Sequence, residues 1–359
     1  MNIFVPPPSP KPRLLAIGTA NPPKRYTQSD MLKLFQIEDR KIRKVFTNSH
    51  IASRYLCLPE PDANGKMPDE TPEALLQKHK DAALDIGKQA IAKALHKANL
   101  IPKDIDYFVV ASTTGLLCPA LTALLAGAMG MRPDVQRADI VGMGCHAGLN
   151  MMQSVVNHCA MNPSAVGLML SAEICSAMYV MDGTINAAIV NSLFGDGAAA
   201  AVISTQVPRV NSPCIPPEIL GFSSYMIPET LGAMRIEMQQ DKFAFWLEKQ
   251  VPYVLGRHVR KPVDDLLNKF GLKRRDISHW IIHSGGRKVI DSIKYALNIT
   301  EHDVRHTTHI LRHYGNVSSG SFLFSYQNLL AESSVSKDDF MLMMTMGPGA
   351  TIECGLSRF

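Results

Sequence analysis

The stretch Asp139-Ile-Val-Gly-Met-Gly-Cys-His-Ala-Gly-Leu-Asn150 decides how the rest of the chain is read. Ile140 and Val141 are β-formers that end a strand. Gly142, Gly144 and Gly148 break regular structure and let other atoms approach the backbone. From Leu149 the apolar residues step as Leu149, Met152, Val156 and Cys159, close to helical spacing. The reading is strand, glycine turn, helix, with Cys145 just before the helix N-terminus. Unpaired N–H groups and the positive end of the helix dipole favour a thiolate there. A buried structural cysteine satisfies the same pattern, so the surroundings must decide.

Outward from this turn, strands and helices alternate. Residues 14–20 read as a first strand, ended by Asn21-Pro22-Pro23. Residues 29–35 read as a short helix capped by Ser29, and 39–49 as a basic helix carrying Lys41 and Lys44. Residues 71–100 form a long helix, 106–112 and 165–171 buried strands, and 116–129 a helix interrupted by Pro119. The second half repeats the first. Ile101-Pro-Lys-Asp-Ile-Asp-Tyr-Phe-Val-Val resembles Lys273-Arg-Arg-Asp-Ile-Ser-His-Trp-Ile-Ile, and Gly195-Asp-Gly-Ala resembles Gly347-Pro-Gly-Ala. So long a period indicates two copies of one αβ domain, joined by the proline-rich segment 208–217. The divisions are a loose leader over 1–13, an N-terminal half over 14–207 and a C-terminal half over 208–359. Alternation implies an α/β fold of mostly parallel sheets with helices outside.

Composition bounds the function. The chain has 359 residues, 46% hydrophobic and 19% charged, so it buries a large core. A net charge of +5 without a polybasic run gives no reason to expect nucleic acid. No window of about eighteen apolar residues marks a membrane span. Seven scattered cysteines without CxxC argue against a disulfide framework or zinc site and for a reducing, cytoplasmic compartment.

Three second-half turns complement Cys145. His283 ends a buried strand beside Gly285-Gly286, Asn316 lies on a glycine-flanked turn before a helix, and Gly347-Pro348-Gly349 precedes the last strand. A hydrogen-bonded strand-end histidine and an asparagine cap are the bland readings. Cys, His and Asn on three glycine turns at element boundaries form a stronger set together.

Gly142-Met-Gly-Cys145-His-Ala-Gly148, Leu193-Phe-Gly-Asp-Gly197, His283-Ser-Gly-Gly286, Tyr314-Gly-Asn316-Val-Ser-Ser319 and Gly347-Pro-Gly349 resemble, in order and spacing, the motifs of type III polyketide synthases, the chalcone-synthase-like family. The resemblance runs from about Leu14 to the C-terminus. It implies a thiolase-like fold of two pseudo-equivalent αβ halves in a layered α-β-α-β-α core, and a homodimer. It puts the nucleophile on Cys145 and its catalytic partners on His283 and Asn316. It puts gatekeeping phenylalanines on Phe194 and Phe245, and coenzyme A phosphates on Lys41 and Lys44. A third phosphate position falls on uncharged Asn48. The residue reaching into the partner's cavity falls on Cys118, and the starter pocket on Cys175 and Met178, whose side chains narrow it. The Gly347-Pro348-Gly349 loop is expected to shape the cavity, although Thr345-Met346 stands before it where the family has Gly-Phe.

The activity so implied is acyltransfer: iterative decarboxylative condensation of malonyl-CoA on a cysteine thioester from a small starter, then cyclisation to a resorcinol-type aromatic. A soft thiolate, held by an imidazolium His283, suits attack on thioesters. Coenzyme A thioesters serve as substrates and no metal or redox cofactor is called for. Accessory tailoring enzymes are the remaining partners. A ketoacyl synthase III-like enzyme making one condensation, and a non-catalytic dimer of the same fold, are the alternatives.

Overall fold

In the computed structural model, which describes residues 11–63, 65–180, 182–206, 215–239 and 241–359, the two repeated segments fold alike. Asp104 accepts the N–H of Ile101 at 2.8 Å and Asp276 that of Lys273 at 2.7 Å. Each carboxylate closes a 3-10 turn that feeds a core strand. Before them, Leu100 N–H bonds to Leu95 O and Leu272 N–H to Leu267 O, both at 3.0 Å. Each preceding helix therefore ends in the same hydrogen-bonded turn.

The strands are β1 (Arg13–Ala20), β2 (Arg25–Thr27), β3 (Ser53–Tyr55), β4 (Tyr107–Ala111), β5 (Gln136–Ile140), β6 (Val166–Glu173), β7 (Gly197–Ser204), β8 (Glu218–Met226), β9 (Met234–Gln239), β10 (Lys242–Leu247), β11 (Ile277–Ile282), β12 (Phe340–Gly347) and β13 (Thr351–Arg358). Nine of them form one sheet in the order β11-β12-β13-β8-β1-β7-β6-β4-β5. Its two wings mirror each other about the β8–β1 contact, where Arg13 pairs with Glu218.

Alternating side chains sort the layers. Phe108, Val110, Ala200 and Val202 pack on the helix Pro72–Ala98. Their neighbours Val109, Ala111, Ala201 and Ile203 face the helices Ala147–Met161 and Ser321–Glu332. Those two helices also receive Ile281, Met341 and Met343 from the second wing, whose opposite face buries Trp280, Ile282, Leu342 and Met344 under Val251–His258, Arg260–Lys269 and Arg287–Leu297. Helix, sheet, helix pair, sheet and helix are the five expected layers.

The mostly parallel sheet is a correction. Only β4–β5, β4–β6 and β11–β12 are parallel; β1, β7, β8 and β13 all run antiparallel to their neighbours. The cause is connection length: β12 reaches β13 through the three residues Pro348–Ala350, and a short turn can only reverse the chain. Other adjustments are local. The first helix is capped by Thr27, in a reciprocal box with Asp30, not by Ser29. The helix expected over 116–129 begins only at Leu121, beyond Pro119. Arg13, assigned to the leader, opens β1. The rest of the leader up to residue 10, and most of the expected 208–217 joint, lie outside the described residues. Among the described residues no helix is long and apolar enough to cross a membrane, and no three His, Cys, Asp or Glu side chains are grouped to hold a metal ion.

Candidate active site

The Cys145 turn is built from both wings. After β5 the backbone takes φ values of +84° at Gly142 and +65° at Gly144, conformations that disfavour any side chain. A Cβ on Gly144 would lie 2.5 Å from Pro348 Cδ, and one on Gly148 would lie 2.3 Å from Ser319 O. The turn is thus wedged between the β12–β13 connection and the Asn316–Ser321 segment. Glycines there are a packing requirement that brings three distant motifs onto Cys145.

Cys145 is 7% exposed, in the middle of a 3-10 turn, Gly144–His146, that runs into the helix Ala147–Met161. Its thiol faces Ser318 Oγ at 3.7 Å, which donates to Glu173 Oε1 at 3.1 Å. Ser319 Oγ donates to the same Glu173 oxygen at 2.5 Å, and Thr113 N–H to the other at 3.0 Å. Asn316 presents its amide to Cys145 for a defined reason. Its Oδ1 is occupied by Ser318 N–H at 2.8 Å, so the NH2 is left for the sulfur. His283 directly follows β11, with its N–H on Met344 O at 2.8 Å.

Burial pushes the Cys145 thiol up to about 12; hydrogen bonding with Ser318 and Asn316 pulls against it, and the Glu173 charge adds to it. Burial also drives His283 down to about 3, helped by repulsion from His146. Burial thus works against a thiolate–imidazolium pair, and the hydrogen bonds at the sulfur work for it. A neutral thiol beside a neutral imidazole avoids two desolvated charges. Proton transfer from thiol to imidazole then makes a nucleophile with no change in net charge.

Cys145, His283, Asn316, Phe194 and Phe245 line one cavity of about 520 Å³. Phe194 and Phe245 meet edge to face with centroids 5.4 Å apart. Behind them a chamber of about 40 Å³ is lined by Thr113, Cys175, Met178, Ile236 and Ser318. Cys145 and both phenylalanines line the two spaces alike, so the ring pair divides an outer tunnel from an inner pocket. Cys175 and Met178, which the family resemblance assigns to the starter pocket, both line this small space.

Lys44 and Asn48 line the tunnel, but Lys41, on the same helix, is exposed and does not. Lys249, Arg287 and Lys288 line it in addition. Cys118 is exposed and lines neither space. Gly347, Pro348 and Gly349 also line neither: they buttress the Cys145 turn from behind, while Met346 faces the cavity. Reading the sequence missed Arg287-Lys288, although the pair directly follows His283-Ser-Gly-Gly286. It also missed Glu173, whose signal was a lone carboxylate ending an apolar strand.

Comparison with known proteins fits this geometry. Residues 26–212 match the family described as FAE1/type III polyketide synthase-like protein, and residues 218–358 match the C-terminal domain of chalcone and stilbene synthases. The chain is 46% identical to a 3,5-dihydroxyphenylacetyl-CoA synthase of Amycolatopsis balhimycina, over 97% of this chain and 93% of that protein. It is 45% identical to one of Streptomyces toyocaensis, over 98% and 91%. Among solved structures it superposes on 1,3,6,8-tetrahydroxynaphthalene synthase from Streptomyces coelicolor A3(2) with a TM-score of 0.88 at 26% identity, covering 97% of this chain and 99% of that one. The chain belongs to the type III polyketide synthases, the chalcone and stilbene synthase family of acyltransferases.

Proposed function

We propose that this chain condenses malonyl units iteratively, starting from malonyl-CoA, and closes the product to a resorcinol-type aromatic such as 3,5-dihydroxyphenylacetyl-CoA or its acid. The observation that carries this reading is a Cys–His–Asn set on a tunnel that the Phe194–Phe245 pair closes toward a small inner pocket. That pocket suits a short starter, and the names of the two relatives support a product of this kind. Lys44, Lys249 and Lys288 at the tunnel, with no ion-pair partner among the described residues, are suited to coenzyme A phosphates.

The chemistry balances with these groups alone. The acyl carbonyl moves from the coenzyme A sulfur to Cys145 Sγ; the thiol proton passes to His283 and on to the departing thiolate. A second malonyl group loses its carboxylate as CO2, and the bonding pair becomes an enolate. The Asn316 amide donates to the enolate oxygen, and His283 does so in the tautomer that carries its proton on Nε2, each donor worth roughly 3 kcal/mol of barrier. Apolar Phe194 and Phe245 disfavour the carboxylate and assist its departure. The carbanion attacks the Cys145 thioester, the C–S bond breaks, and the thiolate takes up one proton per extension.

A homodimer is part of the proposal. β5 is an edge strand of the sheet with Gln136, Arg137 and Asp139 exposed, and Leu116 and Val141 near it are 66% and 53% exposed. This is the neighbourhood of Cys118. A cytoplasmic location is supported by six described cysteines, all free. The proposed division at 207/208 lies a few residues before the break between the two family matches, which falls between 212 and 218.

The test is mass spectrometry of products from malonyl-CoA alone, with Cys145→Ala as control, on protein whose mass in solution is measured by light scattering. A Cys145-dependent aromatic supports the reading. Strong preference for a bulky aromatic or long-chain starter overturns the starter assignment, and a single condensation overturns iteration.

A further inference from the structure

Arg54, on β3, is fully buried, and among the described residues no carboxylate approaches it to ion-pair distance. Burial holds its pKa below the ordinary guanidinium range; the buried Asp196 carboxylate helps only through space. A desolvated guanidinium without a direct ion pair is costly, so its hydrogen bonds matter. Nη1 donates to Phe194 O at 3.0 Å and Nη2 to Gln28 Oε1 at 3.1 Å. Tyr179 Oη donates to the same Phe194 oxygen at 2.7 Å.

That carbonyl needs them. Phe194 is where the chain leaves the helix Ile185–Leu193, with ψ at 148°, so its carbonyl faces away from any intrahelical donor. On either side, Asn316 N–H bonds to Leu193 O at 2.9 Å and Gly195 N–H to Asn316 O at 3.0 Å. The backbone of Phe194 is thereby stitched to Asn316 across the sheet wings. Gln28 extends the arrangement: its Nε2 donates to Ser192 O at 2.8 Å and to Ser49 Oγ at 2.7 Å, and Ser49 lines the tunnel beside Lys44.

We propose that Arg54 and Tyr179 are positioning residues which, by donating together to the Phe194 carbonyl, hold its ring as the wall between tunnel and inner pocket. This rests on reading Phe194 as the gate. Losing one donor lets the Phe194 backbone relax and opens the wall to groups larger than it now admits.

The experiment compares alkylation of Cys145 by iodoacetamide and by bulkier N-phenylmaleimide, site-resolved by peptide mass spectrometry, in the parent, Tyr179→Phe and Arg54→Lys. Lysine keeps the charge but not the paired donors. The bulky-to-small rate ratio at Cys145 is expected to rise about fivefold in each, the weight of one hydrogen bond. A general loss of packing would instead raise both rates together. An unchanged ratio in folded Tyr179→Phe overturns the proposal, even if Arg54→Lys does not fold. Malonyl-CoA turnover by the parent separates the two readings. No polyketide with a shifted ratio overturns the function and leaves the positioning intact; polyketide with an unshifted ratio does the reverse.

Discussion

Replacing Gly144 by alanine tests whether the nucleophile turn is held by the loop behind it. Two costs follow from the structure. At φ +65° a Cβ carries the left-handed penalty, about 1–2 kcal/mol. It would also lie 2.5 Å from Pro348 Cδ and 2.6 Å from Pro348 Cγ, inside any normal contact. Forcing atoms into so packed a place costs about 1–3 kcal/mol more. Gly142→Ala is the control, because its φ is +84° but nothing lies within 4 Å of the new Cβ. It should show the backbone cost alone. Pro348→Ala removes both clashing atoms and leaves a Cβ at 3.9 Å, an ordinary contact. In a double-mutant cycle, Gly144→Ala should therefore cost about 1–3 kcal/mol less in the Pro348→Ala background. The assay is urea unfolding, with iodoacetamide labelling of Cys145 as the functional reading. If Gly144→Ala costs no more than Gly142→Ala, and the cycle shows no coupling, the loop does not buttress the turn.

Stability should fall on acidification below about pH 6.5. His283 is lowered to about 3 and His79 and His306 to about 4, so the unfolded chain binds protons that the folded chain refuses. Their stabilising share is whole above about 6.5 and is lost as pH falls toward 3–4, at up to about 1.4 kcal/mol per pH unit for each proton. Urea midpoints against pH check this, and His79→Gln should lower the slope by one proton. Glu173→Gln removes a charge that raises the Cys145 pKa, so alkylation of Cys145 near pH 8 should speed up, by roughly tenfold for a charge this close; a slower or equal rate would refute the coupling. Lys44→Ala and Lys288→Ala should each raise KM for malonyl-CoA several-fold with little change in kcat, and weaken its salt dependence, whereas Lys41→Ala should do neither, because Lys41 lies off the tunnel.

The parts legible in the sequence are those set by neighbours along the chain. Glycines at 142, 144 and 148 followed by a helical period mark the nucleophile turn because backbone freedom and apolar spacing are local properties. The Asp-Ile repeat marks the duplication because each aspartate closes its own 3-10 turn three residues away. His283 and Asn316 are found at strand and helix ends for the same reason, and the motif order names the family.

What the tertiary structure alone decided depends on segments far apart in the chain. Sheet direction follows from how each strand returns, and β7 and β13 return antiparallel. Lys41 and Lys44 look equivalent in sequence, yet helix rotation turns only the second toward the tunnel, and Arg287 and Lys288 arrive from the other half. The helix terminus argues for a thiolate, and burial, set by packing of both wings, works against it. Arg54 is buried against the Phe194 carbonyl only once residues 140 positions apart are brought together. Charge and hydrogen-bond demand are written residue by residue; which groups lose water, and which partners then meet them, is settled only when the two halves close on each other.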